Sequence, residues 1–475
     1  MPIRMRTSGL ALLLAPVMLA AQAPSAGPAG ANDWPMFGFD PSRSNVSTAA
    51  AGIGAAQLGA LRARSVTLDG IVDASPIYLH GVSVKGAVHD VFFVTTSYGI
   101  TEAIAADSGT ILWRHVPAGY DGWKGTAQVT TATPVADPGR AYIYAANPGG
   151  RVEKLSVADG RAVWSTAVTL LPSREKIASA LNLHGGHVIV TTGGYIGDAS
   201  PYQGHVALLD TADGRLTSVW NSLCSDRAGL LEPASCRESG SAIWGRGGAV
   251  VDSATGNLFV ATGNGRWDGR TNWGDAVLEL DAGATHLLGN YTPTSTHTLD
   301  ATDQDIGSTS PALLQGMVAQ GGKDGVIRLL DWSRLRGTAP HKGGEVQVVP
   351  SPSRDQLFTA PAVWRHGGET WLIAADNGGT MAWALTGGHL ELKWRQVAPG
   401  TSPVVAGGLL YVYDPEGKLR VYQPETGQVL AVLPAESGHW NSPIVVDGRI
   451  ALPVGSSNRH EGGGALVVFE VRGEK

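Results

Sequence analysis

Three segments concentrate the residue types that can do chemistry. The first, Gly240 to Asp281, reads GSAIWGRGGAVVDSATGNLFVATGNGRWDGRTNWGDAVLELD and joins extended Val/Leu/Phe-rich runs through a Gly/Asn-rich loop. It gathers indole rings, turn backbone and polar oxygens at one rim, where a β-rich scaffold usually holds ligands. The second, THTLDATDQDIGSTSPALL, offers Asp303 and Asp305 shortly before a strand. A carboxylate there can remove a proton or take up a hard cation, and it can equally cap a turn. The third, VAQGGKDGVIRLLD, carries Lys323, whose ammonium supplies three donors to a developing negative charge; Lys-Asp-Gly is also ordinary hairpin-turn chemistry. Asn264 lies between Gly263 and Gly265, where an amide oxygen can bind a cation and where Asn also tolerates a positive φ.

The elements that must position these residues repeat along the chain. A unit beginning ASPIYLHGV and continuing DVFFVTTSYGITEAIAADSGTILWRHV contains an Ala-Ser-Pro start, four extended runs, an Asp-Ser-Gly turn and a closing Trp113. Versions of it end at Trp164 and Trp220, the fourth contains Gly240 to Asp281, and later copies begin at Ser310-Pro311, Ala360-Pro361, Ser402-Pro403 and Ser442-Pro443. Units of four short strands with a period of roughly 40 to 60 residues signal a β-propeller. The last unit stops before its fourth strand, and the isolated run Leu61 to Leu68, LRARSVTL, alternates as a strand and can fill the gap. The expected fold is all-β, an eight-bladed propeller closed by an N-terminal strand, which leaves no open sheet edge. Trp113, Trp164, Trp220 and Trp394 are expected to wedge between neighbouring blades.

These repeats, the Ile-Trp-Gly segment and the strand ending Ala-Thr-Gly-Asn-Gly resemble the pyrroloquinoline-quinone (PQQ) repeat family and its quinoprotein alcohol dehydrogenases. The resemblance implies a PQQ cofactor stacked on Trp244, calcium held by Asn264, Asp305 as the base that takes the substrate hydroxyl proton with Asp303 second, and Lys323 against the quinone oxygens. Asp198 is the only carboxylate in the segment matching the family's calcium-binding glutamate. Trp440 and Asn441 open the last unit and, by repeat position, face the same rim. The chain departs from the dehydrogenases in lacking an adjacent cysteine pair at the quinone face. Two functions follow: oxidation of a small alcohol or sugar-like substrate, or a non-catalytic scaffold for envelope protein partners, similar to outer-membrane assembly factors.

Composition bounds the rest. Charged residues make up only 16% of the chain, with 64 Gly and 27 Pro, which suits many tight turns and excludes long helices. A formal charge of -6 and the absence of a Lys/Arg cluster after the leader make nucleic acid an unsuitable partner. Arg4 and Arg6, an apolar run from Leu10 to Ala21 and Ala21-Gln22-Ala23 predict a signal peptide over residues 1–23, a strap over 24–60 and a single propeller domain over 61–475. The expected location is periplasmic or secreted, with no stable membrane span in the mature chain. Cys224 and Cys236 are expected to form a local disulfide, and the lack of CxxCH argues against covalent haem.

Overall fold

In the computed structural model, residues 1–2, 32–460 and 463–471 are described; the expected signal peptide falls almost wholly outside them. Eight four-stranded antiparallel sheets follow one another along the chain. Seven are built from consecutive segments, and the eighth combines Ile444–Val446, Arg449–Val454 and Gly464–Val471 with Leu61–Leu68 from the other end of the sequence. The closing pair runs antiparallel from Leu61 against Val471 to Leu68 against Gly464. Val66 and Leu68 are buried in the core shared by the first, seventh and eighth blades while Ser65 and Thr67 point outward, so alternation at this end of the strand matches its register; Leu61 is buried at the other end, out of phase with it.

Sequence punctuation marks each blade for a physical reason. Pro311, Pro361, Pro403 and Pro443 immediately precede the innermost strands Ala312–Leu314, Ala362–His366, Val404–Ala406 and Ile444–Val446. Proline has no N–H to offer a ladder, so it is tolerated at a strand's start and not within it. The closing tryptophans then lock one blade to the next. Trp113 Nε1 donates to Val157 O of the second blade at 2.8 Å, and Trp394 Nε1 donates to Pro424 O of the seventh at 2.7 Å. Gly160, in the following Asp159-Gly160 turn, has φ 73° and lies so close to the Trp113 ring that a Cβ would sit 2.5 Å from it. Both the turn and the indole therefore require glycine there.

The strap runs across the ring rather than forming a layer of its own. Trp34 is buried and exchanges backbone bonds with Tyr78, while Val251 N donates to Pro41 O and Ser47 N to Val405 O. Arg43 is buried and donates to Phe37 O, Gly247 O and Leu181 O, and Asn45 donates to Ala360 O and Pro361 O, so one short segment satisfies carbonyls from blades on both sides of the axis. Cys224 and Cys236 are joined in a disulfide with Cα atoms 6.1 Å apart. Described helices reach at most six residues, and none is long and apolar enough to cross a membrane.

Candidate functional site

The ring brings the chemically capable segments to one cavity of about 570 Å³. Each contributing loop either leads into an inner strand or follows a second strand. Trp244 lies in the connection entering the fourth blade ahead of Val250–Val251, and Asn264 follows Leu258–Ala261. Asp303 and Asp305 lie between the short helix Thr296–Ala301 and Ala312–Leu314, and Lys323 follows Met317–Gln320. Loops at these positions of successive blades open on the same face, which is why residues far apart in sequence meet.

Asp305 is the centre of the polar cluster. Only 2% of the residue is exposed, and its carboxylate accepts from Trp244 Nε1 at 3.2 Å and pairs with Lys323 Nζ at 2.8 Å. The same ammonium pairs with Asp303 Oδ1 at 2.6 Å and lies 5.2 Å over the Trp244 ring. Asn264 Nδ2 donates to Asp303 Oδ1 at 2.7 Å, which leaves Asn264 Oδ1 buried without a hydrogen-bond partner. Burial raises the Asp305 carboxyl above its ordinary range even though Lys323 pulls the other way. For Lys323, burial would lower the ammonium, but Asp305 and Asp303 outweigh it and hold it above its ordinary value. Behind this group, burial and the Asp305 charge push Asp275 up to about 8.

The structure places Trp244, Asn264, Asp303, Asp305, Lys323, Trp440 and Asp198 on the wall of this one cavity. Asp198 is exposed, and its bonded partner is the Tyr202 hydroxyl at 2.9 Å rather than Asn264. Trp440 stacks on Phe358 with centroids 4.6 Å apart, and both rings flank Trp244 at 6.5 and 6.0 Å. Asn441 corrects the expectation that it faces the rim. Its amide is fully buried, donates to Val72 O and accepts from His439 N, and it lies outside the cavity lining because the backbone uses both of its polar atoms.

Several lining residues had no sequence signal. Arg246, within the opening stretch, reads as part of a Gly-Arg-Gly turn, yet its guanidinium pairs with Asp73 at 2.9 Å and donates to Trp440 O. Asp73 also accepts from Ser457 and pairs with His439 at 2.9 Å; burial opposes its ionisation, but these partners hold it well below the usual carboxylate range. Lys176 also faces the cavity, and burial lowers its ammonium to about 8. No glutamate lines the cavity among the described residues; Glu175 is turned to Thr169 and Gln203 N.

A family model described as outer membrane protein assembly factor BamB matches residues 97–293. A polyvinylalcohol dehydrogenase of Pseudomonas sp is 21% identical over 389 residues, covering 72% of this chain and 60% of the relative. Quinohemoprotein alcohol dehydrogenase ADH IIB of Pseudomonas putida is 29% identical over 231 residues, covering 44% of this chain and 31% of that protein. These matches span less than two thirds of either relative. Among solved structures, quinohemoprotein alcohol dehydrogenase from Comamonas testosteroni superposes with a TM-score of 0.68 at 18% identity, covering 94% of this chain and 81% of the other, which is a likeness of fold.

Proposed function

We propose, on the premise that this chain is a β-propeller of the PQQ repeat family, that it is an exported oxidoreductase using PQQ and calcium to oxidise an alcohol or sugar-like substrate. The buried Asp305 carboxylate, held between an indole N–H and an ammonium inside a cavity walled by tryptophan, carries the reading. The residues present suit the two groups. Trp244 offers a planar face, and the unpaired Asn264 Oδ1 beside the Asp303 carboxylate is the hard-oxygen chemistry calcium takes, with Asp198 a further carboxylate on the same wall. PQQ, when bound, supplies the two-electron acceptor.

The chain's own residues supply positioning and proton transfer. Trp244 Nε1 fixes one Asp305 oxygen, and Lys323 fixes the other, so the carboxylate presents a defined lone pair to a substrate hydroxyl. Burial raises its proton affinity, which favours acceptance of that proton as the carbon is oxidised. Lys323 then lies close enough to stabilise negative charge over the Trp244 face. The test is dye-linked alcohol oxidation by protein reconstituted with PQQ and calcium. The wild type is expected to reduce dye and Asp305→Asn to lose at least 100-fold in kcat; equal rates would refute the assignment.

A second reading, a non-catalytic scaffold for envelope protein partners, is favoured by the assembly-factor description of the matching family model and by the missing adjacent cysteine pair. It expects Asn264→Ala to leave partner capture unchanged.

A further inference from the structure

The cavity has two electrostatically different ends. At one, Asp303 and Asp305 share Lys323. At the other, Arg246 is consumed by Asp73, while Lys176 is left over: among the described residues its ammonium makes no hydrogen bond or ion pair, although it lines the cavity. Its backbone is fixed by pairing of Lys176 with Gly193 and Glu175 with Gly194. Gly193 in turn lies against Trp244, where an added Cβ would be 3.3 Å from the Trp244 Cβ, so Lys176 is anchored beside the same indole whose face Lys323 covers. A half-buried cation without a contacting counter-ion is costly, and that cost is recovered when an anion arrives. Asp73 attracts Lys176 only at a distance, because Arg246, His439 and Ser457 already hold its carboxylate.

We propose that Lys176, backed by Arg246, is a carboxylate-binding subsite that fixes the acidic end of whatever lies on Trp244. This rests on the functional reading above and deepens it: the occupant carries a carboxylate, which is either one of the carboxylates of PQQ or that of an acidic hydroxy substrate. The ammonium donates to the carboxylate at one end while the oxidisable centre lies toward Asp305 at the other. Arg246 lines the same wall while it stays paired with Asp73.

The full chain is titrated with PQQ and, separately, with phthalate, a planar dicarboxylate that carries no quinone, and binding is read as quenching of tryptophan fluorescence. Lys176→Gln is compared with Lys176→Arg, which keeps the charge. If the carboxylate is the cofactor's, Lys176→Gln weakens PQQ binding about 10- to 100-fold, as expected for loss of a charged hydrogen bond, while Lys176→Arg stays within about threefold. If it is the substrate's, PQQ affinity is unchanged but phthalate binding is lost in Lys176→Gln. Phthalate binding that depends on Lys176 in a protein that does not bind PQQ would sustain the subsite and sink the cofactor reading. Equal binding of both probes by wild type and Lys176→Gln, or binding of neither by the wild type, overturns the proposal.

Discussion

Replacing Lys323 with methionine isolates the interaction on which the polar cluster depends. Lys323 Nζ is 2.8 Å from Asp305 Oδ2, with side-chain exposures of 12% and 3%. At an effective dielectric of about 20 that separation corresponds to ~6 kcal/mol of attraction, and removing one partner of such a buried pair costs about 3–5 kcal/mol. The Asp303 contact contributes little, because that side chain is 68% exposed. The cost must depend on pH. Asp305 has a folded-state pKa raised above its unfolded value, so its contribution is most favourable below the unfolded value and declines as pH rises through the folded one. Without Lys323 the folded value climbs further and the decline deepens. In the cofactor-free protein, urea midpoints for wild type, Lys323→Met, Asp305→Asn and the double variant form a cycle at pH 4 and pH 8. The coupling energy is expected to be about 3 kcal/mol or more at pH 8 and to shrink toward pH 4, as the Asp305 carboxyl, whose proton affinity burial raises, takes up its proton. A coupling below about 0.5 kcal/mol at pH 8, or one that does not change with pH, would refute the reasoning.

Other perturbations address the ring and the cavity separately. Leu68→Asp places a charge in the core shared by the closing strand and should lower stability by about 3 kcal/mol or more; an unchanged melting temperature would contradict closure there. Arg43→Met strips buried carbonyls of Phe37, Leu181 and Gly247 of their donor and should cost about 3 kcal/mol in urea unfolding without altering ligand binding. Lys176→Gln should raise the urea midpoint at pH 6. The folded ammonium is lowered to about 8 against an ordinary 10.5, so its penalty is complete below about pH 8 and fades as pH rises to 10.5, where wild type and variant converge. The charged groups acting on it there are Asp73 and Arg246, which are paired with each other.

The architecture was legible because its punctuation is forced by backbone chemistry. Pro before an inner strand, Gly under the preceding tryptophan and the alternation of Leu61–Leu68 each have one economical structural reading, and the blades formed where these marks stood. The acidic half of the site was legible for a related reason: Trp244, Asn264, Asp305 and Lys323 sit in loops whose repeat positions share a face, so placing the repeats places the residues together. Lys176 and Asp73 carried no comparable mark. Lys176 ends a short charged run, Arg174-Glu175-Lys176, Asp73 stands alone in a loop, and only the ring reveals that Arg246 pairs with Asp73 and leaves Lys176 without a contacting partner. Asn441 illustrates the opposite limit, since repeat position fixes where a residue stands but not whether the backbone will claim its amide.

The central claim is that this cavity receives PQQ on the face of Trp244. Apo-protein at excess over PQQ, with calcium present, is followed by the cofactor's visible absorbance. The account predicts a saturable spectral change with the wild type that weakens at least tenfold with Trp244→Ala, in line with the loss of an aromatic stacking surface. An unperturbed cofactor spectrum at excess wild-type protein would contradict it.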